Sequence, residues 1–134
     1  MELSVKSKKE FSKKLLRIGR TNRFCNGFVL LSGIGFLVTK EKIRITRRSL
    51  LELTNEYRLP AFGIVLTDEN RIEPYVYVKQ TNSLFKETAC GSASIATNII
   101  LGINKIIQPT GESIYVENKQ NKIRVSAKVV ALGC

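Results

Sequence analysis

From Ser92 to Leu101 the sequence reads Ser-Ala-Ser-Ile-Ala-Thr-Asn-Ile-Ile-Leu, with Gly102 directly after it. Small and apolar residues on every side suit a helix that is buried all round, because a helix lying on a surface keeps a polar stripe. Gly102 is suited to closing it, since glycine readily adopts the left-handed conformation found beyond helix ends. A helix of this kind needs other elements to surround it. The rest of the chain supplies mostly strands.

Upstream, Gly27-Phe-Val-Leu-Leu31, then Ser32-Gly33, then Ile34 to Val38 read as strand, bend and strand. A second helix follows, with Thr46 as its cap, Leu50, Leu51, Leu53 and Tyr57 on one apolar side, and Pro60 stopping it beyond Leu59. Ala61 to Leu66 and Ile72 to Val78, joined through Thr67-Asp68-Glu69-Asn70, read as a hairpin with Tyr75 and Tyr77 facing opposite to Val76 and Val78. Downstream, Pro109, Thr110 and Gly111 make a turn. Ser113 to Val116 and Ile123 to Val130 then alternate like strands, joined through Asn118 to Asn121. Before all of these, Val5, Phe11, Leu15, Leu16 and Ile18 are sparse among lysines, which predicts a marginal amphipathic helix or a frayed segment between Ser4 and Ile18. The sum is an α+β fold of mainly antiparallel strands and one central apolar helix. Residues 1–25 form a basic leader, and residues 26–134 form a single domain with its central helix at about 91–101.

Composition narrows the function. A chain of 134 residues, 43% of them apolar and with mean hydropathy near zero, has the balance of one soluble domain with a modest core. No apolar run approaches the ~18 residues that cross a bilayer, and the amino terminus lacks the layout of a signal peptide. The expected setting is the cytoplasm, without membrane contact. Cys25, Cys90 and Cys134 are an odd number in a chain with no export signal, which predicts free thiols. With no histidine and no Cys-x-x-Cys pair, a structural zinc site is not expected. Acid–base chemistry near neutral pH then falls to cysteine, lysine or carboxylate. The net charge of +11 is concentrated in Lys6, Lys8, Lys9, Lys13, Lys14, Arg17, Arg20 and Arg23, opposed there by Glu2 and Glu10. This leader reads as a solvated face or tail in preference to a nucleic-acid arm, since no nucleic-acid motif accompanies it.

The chemistry is carried by Glu87-Thr-Ala-Cys-Gly-Ser-Ala-Ser94, between a polar strand end and the apolar helix. A cysteine at a helix amino terminus faces backbone N–H groups and the positive end of the helix dipole, which stabilise thiolate. The N–H groups of Gly91, Ser92 and Ala93 can also hold a carboxylate beside the sulfur. That geometry suits removal of a proton from the carbon next to the carboxylate, with the N–H groups stabilising the charge that develops. The spacing alone leaves a second reading open, in which Cys90 is an inert thiol packed where strand meets helix.

Residues Glu87-Thr-Ala-Cys-Gly-Ser-Ala-Ser-Ile-Ala96 resemble the second-domain signature of the diaminopimelate epimerase-like superfamily, a Thr-x-Ala-Cys-Gly-Ser/Thr-Gly segment. The Pro60-Ala-Phe-Gly-Ile-Val-Leu66, Pro74-Tyr-Val-Tyr-Val78 and Gln108-Pro-Thr-Gly-Glu-Ser-Ile-Tyr-Val116 segments occur in family-like order, and the last two look more like the branch that contains histidine racemases than like diaminopimelate epimerases. The resemblance implies strands wrapped around a central helix, and two such domains facing one another, each offering a cysteine. One thiolate removes the α-proton of an amino acid and the opposite thiol returns a proton to the other face, without pyridoxal phosphate, metal or other cofactor. Cys90 matches the catalytic thiol of the second domain. Gly91 and Ser92 match the residues whose N–H groups hold the substrate carboxylate, and Thr88 and Glu87 fall where polar support of the cleft is expected. For Glu87 a solvated carboxylate at a strand end is an equal alternative.

Three departures shape the expectation. Ala93 replaces the second glycine of the signature. The Glu-Arg pair usual upstream of the cysteine is missing, the nearest cations being Lys79 and Lys86, so diaminopimelate is not the expected substrate. The amino-terminal domain is not represented, and Cys25, in Arg23-Phe-Cys-Asn-Gly27, lacks a glycine of the corresponding Cys-Gly-Asn-Gly signature and reads as structural. Cys134 reads as an exposed thiol. The chain is thus expected to be the carboxy-terminal half of a racemase that pairs with a missing domain, a separate chain or, less favourably, a second copy of itself. A non-catalytic remnant or carboxylate-binding module ranks second, and a basic nucleic-acid-binding domain last.

Overall fold

In the computed structural model the described residues are 6–11, 15–20, 27–119 and 122–128. The strand-bend-strand segment forms β3 (Gly27–Leu31) and β4 (Ile34–Thr39), with Gly33 at φ +86° in the bend. Helix α1 (Arg47–Tyr57) is capped by Thr46, whose hydroxyl accepts the Ser49 N–H at 3.2 Å, and it ends at Arg58 in the left-handed region. Strands β5 (Ala61–Asp68) and β6 (Arg71–Val78) form the hairpin. Strand β7 (Ser83–Lys86) leads into α2 (Gly91–Leu101), which closes on Gly102 at φ +71°. Strands β8 (Lys105–Ile107), β9 (Ser113–Lys119) and β10 (Lys122–Lys128) follow.

The leader differs from its expected helix. Lys6–Phe11 and Leu15–Arg20 are strands β1 and β2, paired antiparallel with β10 and β3. Too few apolar residues recur at helical spacing to hold a helix there, whereas open strand edges offer every backbone N–H and C=O a partner. The segment read as a leader therefore extends both ends of one sheet, in the order β1-β10-β9-β8-β6-β5-β4-β3-β2, with β7 beside β6. Most pairs are antiparallel, and β4–β5 and β6–β8 are parallel.

Helix α2 touches β3, β4, β5, β8, β9 and β10. One straight helix reaches strands so far apart in the sheet order only if the sheet curls toward it. Every residue of α2 except Ile99 and Leu101 is buried. Its Ala93, Ile95, Ala96 and Ile100 pack with Val29, Phe36, Val38, Val65, Val76, Ile106, Ile114 and Val125 from the sheet. On the opposite face, Leu50 of α1 packs with Leu30, Phe62, Ile64 and Tyr77. Strand alternation divides the two cores, so Val76 meets α2 while Tyr77 turns toward α1. Fully burying each large apolar side chain contributes about 1.5–3 kcal/mol. No helix among the described residues is long and apolar enough to cross a membrane.

Candidate active site

A gap along one edge of β6 decides where α2 begins. The second half of β6 pairs with β7, through Tyr75–Lys86 to Val78–Ser83, while its first residue, Arg71, pairs with Ile107 of β8. The two short strands approach each other end to end, and Glu87 prolongs β7 by one bond, its N–H donating to the Pro74 carbonyl at 2.9 Å. Thr88, Ala89 and Cys90 leave the sheet in the gap, and α2 starts at Gly91.

Cys90 is the N-cap of α2, in extended conformation at φ −144°, ψ 111°, and its sulfur accepts the Ala93 N–H at 3.3 Å. The helix has no acidic residue in its first turn, so its positive end is not offset from within. Gly91, Ser92 and Ala93 are all buried beside the cap. Helix capping thus brings together Cys90, Gly91 and Ser92, while Thr88 stands exposed and Glu87 half-buried on the approach to the cap.

Two features differ from the free, reactive thiol expected at this position. Cys90 is fully buried, with 0% of its surface exposed. Its sulfur is also disulfide-bonded. An odd cysteine count does not by itself exclude a disulfide. In this state the sulfur carries no proton and cannot act as a base. The further readings of Cys25 and Cys134 fall outside the described residues.

Burial raises the Glu87 carboxyl above its ordinary range. A folded state that holds this proton more tightly than the unfolded chain is helped by it below the unfolded pKa, and loses that help as pH rises through the folded one. Glu87→Gln is therefore expected to raise the urea midpoint at neutral pH and to have no such effect well below the ordinary carboxyl range. An equal midpoint shift at both pH values would remove burial of the charge as the cause.

Gln108 is the polar side chain that sequence reasoning missed. It lies just past β8, is 1% exposed, and accepts the Cys90 N–H at 2.9 Å through Oε1. Its Nε2 donates to Ser94 Oγ at 2.9 Å and to the Ile106 carbonyl at 3.2 Å. Ser94 Oγ in turn donates to the Cys90 carbonyl at 2.7 Å. The sequence carried one signal for this, a glutamine at the end of a short apolar strand and before a proline, a position where a buried amide must find partners.

No family model matches the chain. It is similar to two proteins named histidine racemase, from two strains of Fusobacterium nucleatum, each 30% identical over 122 residues that take in 80% of this chain and 46% of theirs. The chain spans about half the length of the curated relatives it matches.

Proposed function

We propose that this chain is the carboxy-terminal half of a cofactor-independent, two-thiol amino-acid racemase or epimerase of the diaminopimelate epimerase-like kind, with strands wrapped around α2 as the core of one domain. The observation that carries the reading is the sulfur of Cys90 at the N-cap of a buried helix, with the Ala93 N–H directed at it. In the reduced protein the same N–H and the helix dipole favour thiolate. The thiolate removes the α-proton of an amino acid whose carboxylate is held by the backbone N–H groups of Gly91 and Ser92. Those donors stabilise the charge that moves onto the carboxylate as the proton leaves. A second thiol, from a facing domain, completes the inversion. The name of the relatives makes histidine the first substrate to try, and the expected cytoplasmic setting would keep Cys90 reduced.

A non-catalytic module is the second reading. The full burial of Cys90 and its disulfide favour it, because both are what a structural cysteine would have. The test is α-proton exchange in D₂O for L-histidine and a panel of other L-amino acids, with the chain reduced, alone and mixed with a candidate amino-terminal half. Deuterium incorporation by the reduced chain, and full racemisation with the partner half, is the expected result. Absence of exchange for every amino acid with both reductant and partner present would leave the structural reading in its place.

A further inference from the structure

We infer that Gln108 is a positioning residue for the Cys90 thiol, and that the β8–β9 turn is a two-point clamp on the segment that carries it. The inference rests on the reading of Cys90 as an acid–base thiol and adds the residue that sets its geometry. The turn is closed on itself, since the Gln108 N–H donates to the Glu112 carbonyl at 2.8 Å and the Gly111 N–H to the Gln108 carbonyl at 2.8 Å. From this closed turn, the Thr110 N–H donates to the Thr88 carbonyl at 3.4 Å, and Gln108 Oε1 accepts from the Cys90 N–H at 2.9 Å. The residue two before the cap and the cap itself are therefore both tied to one rigid piece of chain. Ser94 locks the amide from the helix side, joining Gln108 Nε2 to the Cys90 carbonyl.

The consequence for the sulfur follows from capping geometry. An N-cap side chain meets the N–H three residues on only while its own backbone stays extended. Cys90 is extended, and the Gln108 bond fixes the amide that enters that conformation. With the amide released, the cap backbone can turn, the Ala93 N–H no longer points at sulfur, and the thiolate loses a donor that the neutral thiol scarcely uses. The thiol pKa then moves up. Among the described residues, ionisable side chains on the elements packed against this site are few. Helix α2 has none, the segment before it carries Lys86 and Glu87, and the chain from β8 to β9 carries Lys105, Glu112, Tyr115, Glu117 and Lys119. Strands β3 and β5 contribute Asp68 alone, β4 contributes none, and β10 contributes Lys122 and Arg124.

The test reads thiolate formation directly, by ultraviolet absorbance against pH, in the full chain kept reduced with a phosphine and with the Cys90→Ala chain subtracted. Gln108→Met keeps the length and packing of the side chain and removes its hydrogen bonds. It is expected to lower the Cys90 thiolate fraction near neutral pH by about threefold to tenfold, a shift of up to about one pKa unit. Ser94→Ala, which frees the far end of the amide, is expected to move the titration in the same direction by less. Ile114→Val, a buried substitution outside the clamp, is expected to lower the melting temperature and leave the titration in place. A Gln108→Met titration that coincides with wild type would overturn the inference, and if that variant does not fold, an unmoved Ser94→Ala titration does so. Loss of amino-acid exchange in the wild type would count against the racemase reading alone, because the thiol titration needs no substrate.

Discussion

Cys90→Ser is expected to fold as well as the wild type under reducing conditions and to lose α-proton exchange by about 10²–10⁴-fold, the usual range for removing a positioned acid–base group. The two halves of this expectation come from one atom. Serine is a strong N-cap, and its Oγ accepts the same N–H that Cys90 Sγ now accepts from Ala93. The helix start is therefore preserved or improved. The hydroxyl, however, does not ionise near neutral pH and cannot take a carbon-bound proton there. Cys90→Ala removes the base and the cap acceptor together, so it is expected to match the serine variant in activity and fall below it in melting temperature. If Cys90 is instead a structural cysteine, the pattern reverses. Both variants then melt well below wild type under oxidising conditions, by the roughly 2–4 kcal/mol that a disulfide typically contributes, and any amino-acid exchange survives unchanged. Exchange assays and melting curves, each run with and without reductant, separate the two.

Legibility in the sequence followed the range of the interactions. Helix α2, its glycine cap, the Thr46 cap of α1 and the β5–β6 hairpin rest on contacts between residues close in the chain, and composition declares them. The place of Cys90 at the start of α2 was legible for the same reason, because a helix start and a cysteine on it are local facts. Strands β1 and β2 were not, since what makes Lys6–Phe11 a strand is the edge of β10, more than a hundred residues later. Strands β7 and β8 hide because strands of four and three residues are too short to show alternation. Gln108 is eighteen residues from the amide it holds, a distance that only the meeting of β7 and β8 along β6 closes. The disulfide at Cys90 likewise depends on which sulfur the fold brings to it, and counting cysteines could not reveal that.

Phe36→Ala is expected to be among the most damaging substitutions in the sheet, costing about 3–5 kcal/mol against a usual total stability of about 5–15 kcal/mol. Phe36 is fully buried, in the core that packs against α2. It stands opposite Gly63 in the parallel β4–β5 pair, and its ring covers the space a side chain would fill there. A Cβ at Gly63 would lie 2.5 Å from Phe36 Cε1 and 2.6 Å from Cδ1, so Gly63→Ala alone forces the ring aside, at a cost of about 1–3 kcal/mol. The two changes are not independent. With the ring gone, the methyl group introduced by Gly63→Ala enters the vacated space, which removes its own clash and fills part of the cavity. The double variant is therefore expected to be less destabilised than the two single costs added together, with a coupling of about 0.5–3 kcal/mol in urea denaturation. Rescue stays incomplete, because the same Cβ would lie 2.8 Å from the Tyr75 carbonyl oxygen, which is held in register by the β5–β6 ladder. Strict additivity would mean that the ring does not rest on Gly63 in solution, and that the face of the sheet supporting α2 is packed in some other way.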